Sequence, residues 1–349
     1  MQGLAAASAS SSSGVFDAAE LRRRFGSVYR PKPWLYWTDM LVSAAVGWAA
    51  FVLAVVQPLF SSEYLLCLLI AILALLRSVL FIHELAHIKS VQLPNFEVVW
   101  HLVVGTPLMV PSLMYVGSHN DHHKRNAFGT KDDPEYAPIA RYTRFKLVRF
   151  VLSVAVVPLA LPLRWGVLAP LSYLLPSLRK FVVERASTLV INPDYRRPMP
   201  TGRQAKRWVV QEMASGTVFW LAFGAWALGW LPLAVAITWV LLTSGILVIN
   251  QIRTLAAHHY QNDGREVDAL GQLMDSVNLR GVPILTALIA PVGLRYHALH
   301  HFLPAVPYHS LGTLHRRLCR ELPPEAVYHR TEAEGILPML RRLWDRAPA

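Results

Sequence analysis

Fourteen histidines are spread over this 349-residue chain, and most fall into short clusters with metal-ligand spacing. His83 and His87 lie in HELAH. On a helix their i, i+4 spacing stacks both imidazoles on one face, about one turn apart. His119, His122 and His123 lie in HNDHH, and His297, His300 and His301 lie in HALHH. His258 and His259 form a fourth, shorter group in RTLAAHHY. Imidazole suits iron, copper, nickel and zinc. A single zinc takes about four ligands, so the three boxes with one histidine of the fourth group are too many for one ion. Two ions with open positions use them well. His101, His309, His315 and His329 stand outside these groups and read as ordinary polar residues near a membrane interface. Cys67 lies in an apolar run and Cys319 in a basic tail, so they form neither a disulfide framework nor a CxxC site. Any metal is therefore expected on histidine or carboxylate.

HELAH also fits the HExxH pattern of zinc proteases. In that reading Glu84 is the general base, and Asp194 of INPDY, residues 191–195, is a third ligand. The reading leaves both HxxHH boxes without a purpose.

The elements that must carry these boxes are apolar. Hydrophobic residues make up 54% of the chain and charged residues only 16%, and mean hydropathy is +0.34. Long apolar runs argue for membrane spans. Spans are expected over 38–60, 62–82, 210–230 and 232–252. Each holds roughly 20 residues, enough to cross a core of about 30 Å at about 1.5 Å per residue. They pair as two hairpins through turns at 57–63 and 229–232 that contain no Lys or Arg. The remaining connections are rich in both, so the termini and all histidine boxes are expected on the cytoplasmic side. Anionic headgroups on that side account for the net charge of +12. Nucleic acid is a poor alternative, because no basic motif lies outside the loops between spans. Apolar stretches at 96–116, 147–180 and 282–295 carry prolines or charges and read as interfacial or re-entrant helices, the rival for 147–180 being a pair of true spans. Residues 1–33 read as a disordered tail leading into a basic segment, ahead of one membrane domain over 34–349. Arg77, inside the second span, reads as a snorkelling side chain.

The order HxxxH, HxxHH and a late HxxHH, separated by two hydrophobic hairpins, resembles the integral-membrane fatty acid desaturase family over about residues 35–320. The phrases GSHNDHHKRNAFGTKDDPEY and RYHALHHFLPAVPYHSL look more like fatty acyl desaturases than carotenoid-modifying relatives. The resemblance implies an all-α integral membrane fold of about four spans, with a cytoplasmic histidine-rich cap. It implies two irons held by His83, His87, His119, His122, His123, His258, His297, His300 and His301, with His258 matching the family's extra histidine after the fourth span. It further implies dioxygen as co-substrate, a lipid or acyl-thioester substrate, and hydrogen removal from two adjacent methylenes. No haem motif is present, so electrons are expected from a separate ferredoxin- or cytochrome-type donor. Some members place an Asn four residues before the extra histidine; here that position is Thr254, and Asn250 lies one turn further back. Hydroxylation of a lipid or carotenoid is the sibling chemistry, because the metal ligands can be shared.

Overall fold

A computed structural model of the protein describes residues 18–189, 191–262 and 264–348. In chain order its helices are α1 (Ala18–Arg24), α2 (Pro33–Val55), α3 (Ser62–Val79), α4 (Phe81–His87), α5 (Phe96–Trp100), α6 (Val116–His122), α7 (Arg144–Ser153), α8 (Val157–Leu163), α9 (Ala169–Ser172), α10 (Pro176–Ala186), α11 (Gly202–Ala227), α12 (Leu233–Leu255), α13 (Ala269–Asp275), α14 (Pro283–Ile289), α15 (His297–Phe302), α16 (Tyr308–Glu321) and α17 (Ile336–Arg346). Two short strands, β1 (Asn278–Leu279) and β2 (Glu332–Ala333), pair in parallel with Asn278 opposite Glu332.

Four of the described helical segments are long and apolar enough to cross a membrane: Pro33–Val55, Ser62–His87, Arg144–Ser172 and Leu233–Leu255. The number matches the sequence expectation, but the membership differs. The stretch read as interfacial or re-entrant, 147–180, contributes a long apolar segment running α7–α8–α9. Prolines and a buried charge had argued against it. Pro158 sits in the first turn of α8, where its missing N–H costs nothing, and Pro162 lies inside that helix. Arg164 is buried but paired through two of its three nitrogens. Its Nε donates to Ala186 O at 2.5 Å, and its Nη2 donates to Ser187 Oγ at 2.9 Å and Glu212 Oε1 at 2.7 Å. Most of the expected 210–230 span lies in α11, which ends at Ala227 and whose N-terminal half carries Arg203, Lys206, Arg207 and Glu212, which lower its apolarity.

The α2–α3 hairpin forms the framework. Pro33 opens α2, and the Ser61 hydroxyl caps α3 by accepting from Tyr64 N at 3.2 Å. Ala44, Gly47, Ala50 and Ala54 give α2 a small-residue stripe that lets the backbones approach. At Gly47 a Cβ would sit 2.5 Å from Leu75 Cγ, so the close crossing needs glycine there. Arg77 does not merely snorkel: its Nε and Nη2 both bond the Asp39 carboxylate of α2 at 2.5 Å.

The 96–116 stretch enters as α5, opens into a π-turn over His101–Gly105, and breaks before Pro111. Irregular backbone in apolar surroundings needs its carbonyls satisfied. Three indoles from different helices supply this: Trp48 donates to Val103 O at 2.7 Å, Trp239 to Pro107 O at 3.0 Å and Trp165 to Met109 O at 2.9 Å.

Of the tail expected over 1–33, residues 1–17 lie outside the described residues. The part from 18 onward is helical and packed. Leu21, Phe25 and Val28 are buried against Leu311, Leu314, Leu318 and Tyr328, and Arg24 pairs with Glu321 at 2.7 Å. The N-terminal segment and α16 thus form one small core beside the third histidine box.

Candidate metal centre

Each box reaches the site on its own short element. After α3 the chain breaks at Leu80 and restarts as α4, which carries His83 and His87. α6 carries His119 and His122, with His123 as its C-cap. α15 carries His297, His300 and His301. His258 arrives three residues after the end of α12, on an extended segment bridged to Ser276.

These elements bring the nine expected histidines together. His83, His87, His119 and His300 form one group of four, and His122, His258, His297 and His301 a second. Within each group the candidate ligand atoms all lie within 4.8 Å of one another. His123 joins the two groups. Its Nε2 lies 3.1 Å from Nε2 of both His119 and His300, and its ring stacks on His301 with centroids 4.4 Å apart. His259 joins neither group, and Asp263, four residues after it and a candidate partner by sequence, lies outside the described residues. His101 turns to Ser112 and Glu97, and His309 accepts from Lys32 N.

The donor atoms fit metal ions. Nε2 atoms meet at 3.0 Å for His87–His119 and His258–His297, and at 3.1 Å for His297–His301. Two imidazoles bound at about 2.1 Å and at right angles on one ion stand about 3.0 Å apart. His83 Nε2 and His122 Nε2 are buried with no hydrogen-bond partner, a cost that a metal would remove. Burial is the main cause that lowers the pKa of His119, His123, His258, His297, His300 and His301. Neutral imidazole is the form that binds metal.

Carboxylates fix the rings from behind. His119 donates Nδ1–H to Glu135 Oε1 at 2.7 Å, and the Tyr115 hydroxyl sits 2.9 Å from the same nitrogen. His122 donates Nδ1–H to Asp133 at 2.8 Å, and Asp133 in turn accepts from Gly129 N and Glu135 N. For His122, burial is the largest influence and pushes the pKa down, but the charge and hydrogen bond of Asp133 together with the Glu135 and Asp275 charges outweigh it, so the net shift is upward. Asp275 lies 3.5 Å from His258 Nδ1. Such partners set the tautomer and aim Nε2 at the ion. Burial raises the Glu135 carboxyl to about 7, although the His122 charge opposes it. Sequence reasoning assigned no role to Asp133, Glu135 or Asp275. The available signal was KDDPEY, directly after the second box.

The protease arrangement is not assembled. Asp194 is exposed and absent from both groups. Glu84 faces away, accepting from Tyr36 Oη at 2.5 Å and Tyr308 N at 3.2 Å. Tyr36 is wholly buried in this contact. Thr254 spends its hydroxyl on Asn250 O at 2.9 Å, and the Asn250 side chain accepts from Arg253.

A cavity of about 410 Å³ leads to the first histidine group. Its walls are mainly apolar side chains of α3, α8 and α12, including Leu76, Leu161 and Ile246, and its polar lining includes His83, Tyr115, Glu135, Asn250 and Arg253. The geometry offers a greasy channel closed by a histidine cluster that could hold metal.

Residues 59–333 match the family described as fatty acid desaturase. The chain is also similar to a ceramide hydroxylase of Caulobacter vibrioides (strain NA1000 / CB15N), with 43% identity over 316 residues that span 90% of each chain. By the extent of both matches, this chain belongs to the fatty acid desaturase family of membrane oxidoreductases.

Proposed function

We propose that the protein is a membrane-bound diiron hydroxylase acting on a ceramide-type lipid. The double-bond-forming activity expected from the sequence gives way to the sibling chemistry, since the ceramide hydroxylase relative matches over nearly its whole length. The observation that carries the reading is the mainly apolar cavity that reaches His83. It suits an alkyl chain whose polar head stays at the membrane surface.

In this reading His83, His87, His119 and His300 hold one iron, and His122, His258, His297 and His301 the other, with His123 between them. The bound irons would supply the oxidising power that an unactivated carbon needs, using dioxygen and two electrons from a separate ferredoxin- or cytochrome-type protein. The balance is one C–H bond converted to C–OH, with the second oxygen atom leaving as water after taking up two protons. The chain does the rest. Asp133, Glu135 and Asp275 orient the rings. Leu76, Leu161 and Ile246 line the alkyl channel and exclude water from the reacting carbon. Tyr115 and Glu135 are polar groups of the channel's lining, where a proton can be held.

The test is mass spectrometry of lipids from cells making the protein. Ceramides should gain one oxygen atom, and His300→Ala should abolish the gain. Loss of two hydrogens without added oxygen would assign desaturation instead. No change in any lipid, with iron present in the protein, would overturn the substrate class.

A further inference from the structure

A third group of metal-competent side chains lies away from the two histidine groups. His315 and Cys319 are one turn apart on α16, and Glu332 reaches them from β2. His315 Nε2 is 3.3 Å from Glu332 Oε1, Cys319 Sγ is 3.5 Å from the same oxygen, and Cys319 Sγ is 3.7 Å from His315 Nε2. The His315–Glu332 contact is long for a hydrogen bond to a carboxylate, which when charge-assisted runs about 2.7–2.9 Å, while the two sulfur contacts are of hydrogen-bond length. As ligands of one ion the three side chains fit. Zinc binds thiolate at about 2.3 Å and imidazole or carboxylate at about 2.0–2.2 Å, which at tetrahedral angles leaves donors about 3.3–3.6 Å apart.

The surroundings agree. His315 Nδ1 is held by Tyr328 Oη at 2.8 Å, which leaves Nε2 for the ion. Arg280 pairs with Glu332 Oε2, which leaves Oε1 facing the other two donors. Burial keeps His315 neutral, Glu332 opposing it. Burial and then the Glu332 charge push the Cys319 thiol up to about 11; a bound cation reverses that balance and favours the thiolate. The three side chains line a surface cleft with Arg316 and Arg320, so water can take the fourth position.

We propose that His315, Cys319 and Glu332 form a mononuclear zinc site, separate from the iron positions, that staples α16 to β2. Its mechanical target is the third box. β2 pairs with β1, and Asn278 of β1 accepts from Leu299 N of α15 at 3.1 Å while donating to Thr331 Oγ1 at 2.8 Å. Tyr296, next to His297, packs its ring on His315 with centroids 5.0 Å apart. An ion here would brace the helix that carries His297, His300 and His301.

The chain has two cysteines, so a Cys67→Ser background leaves Cys319 as the single thiol. The full-length, iron-loaded protein in that background is titrated with cobalt(II), and the near-ultraviolet sulfur-to-cobalt absorption is recorded. The expected result is a band that saturates near one ion per chain, disappears on zinc addition, and is absent in Cys319→Ser, with iron content unchanged. No band, or a band that persists in Cys319→Ser, overturns the site. Alkylation of Cys319 in the Cys67→Ser protein needs no further variant. Zinc should block it and a chelator should restore it; equal labelling in both states also overturns the proposal. Iron and lipid products are read separately, so failure of the hydroxylase reading leaves this test intact.

Discussion

At His258 and His259 the direction of the backbone decides which ring reaches the metal position. A helix continuing through them would separate the two side chains by about 100°. Instead α12 stops at Leu255, and His258 pairs with Ser276 in an extended bridge. Neighbouring side chains on extended backbone point to opposite faces. His258 therefore turns into the second group, while His259 stays half-buried outside it with its N–H on Asp275 O at 2.7 Å. His258→Ala is expected to lose iron and activity in membrane-inserted protein, and His259→Ala to keep most of both; the reverse ranking would sink the assignment. Asp133 gives a second case. Asp133→Asn removes the negative charge and replaces one of its two acceptor oxygens with a donor, which loosens the hold on the His122 tautomer, and metal affinity should fall by about 10–100-fold. Iron retention during dialysis against a graded chelator checks this, and wild-type retention would contradict it. The boxes were legible in the sequence because repeated spacing is a signal in itself. Asp133 and Asp275 were not, because a single carboxylate reached through a turn has no period.

At the scale of elements, the Arg144–Ser172 segment shows why charge content misleads when read along one strand of sequence. Arg164 looked incompatible with a span, yet Glu212 neutralises it and Ser187 and Ala186 accept from it, all from neighbouring segments. Arg179 adds a second partner to Glu212 at 2.8 Å. A buried ion pair costs most when only one half is removed. Glu212→Ala should therefore destabilise the protein by about 3–5 kcal/mol, measured as a loss of thermal stability in detergent, while Val210→Ala on the exposed face of α11 should change little. Equal melting of the two variants would show that Arg164 finds another partner. The first hairpin was readable because its long apolar runs hold only Asp39, Glu63 and Arg77 as charges and its turn lacks basic residues. The third long segment was not, because its partner charge lies on α11, far away in sequence.

For the whole molecule, charge distribution sets the expected orientation. The turn between α2 and α3 and the turn between α11 and α12 lack Lys and Arg, while segments 22–32, 124–149, 179–207 and 316–346 hold most of the chain's Lys and Arg. α1 and α16 share one core, so the described N-terminal segment and the C-terminal cap lie on the same side as the third box. A reporter fused after Ala349 is expected to be active only when it is of a kind that works in the cytoplasm. Activity of a reporter that works solely outside the membrane would invert the orientation.

The shared core of α1 and α16 also sets a clock on biosynthesis. Arg24 and Glu321, which pair across it, are 297 residues apart. At about 5–20 residues per second, a ribosome needs about 15–60 s to bridge that gap. During that interval Leu21, Phe25 and Val28 have no protein partner, and the nascent helix must rest on the bilayer surface or on a chaperone. The third box emerges in the same late stretch as α16. The two four-histidine groups can then close only when translation is nearly over, so a metal bound by them would enter as a step of maturation, and prematurely terminated chains would lack the residues to retain it.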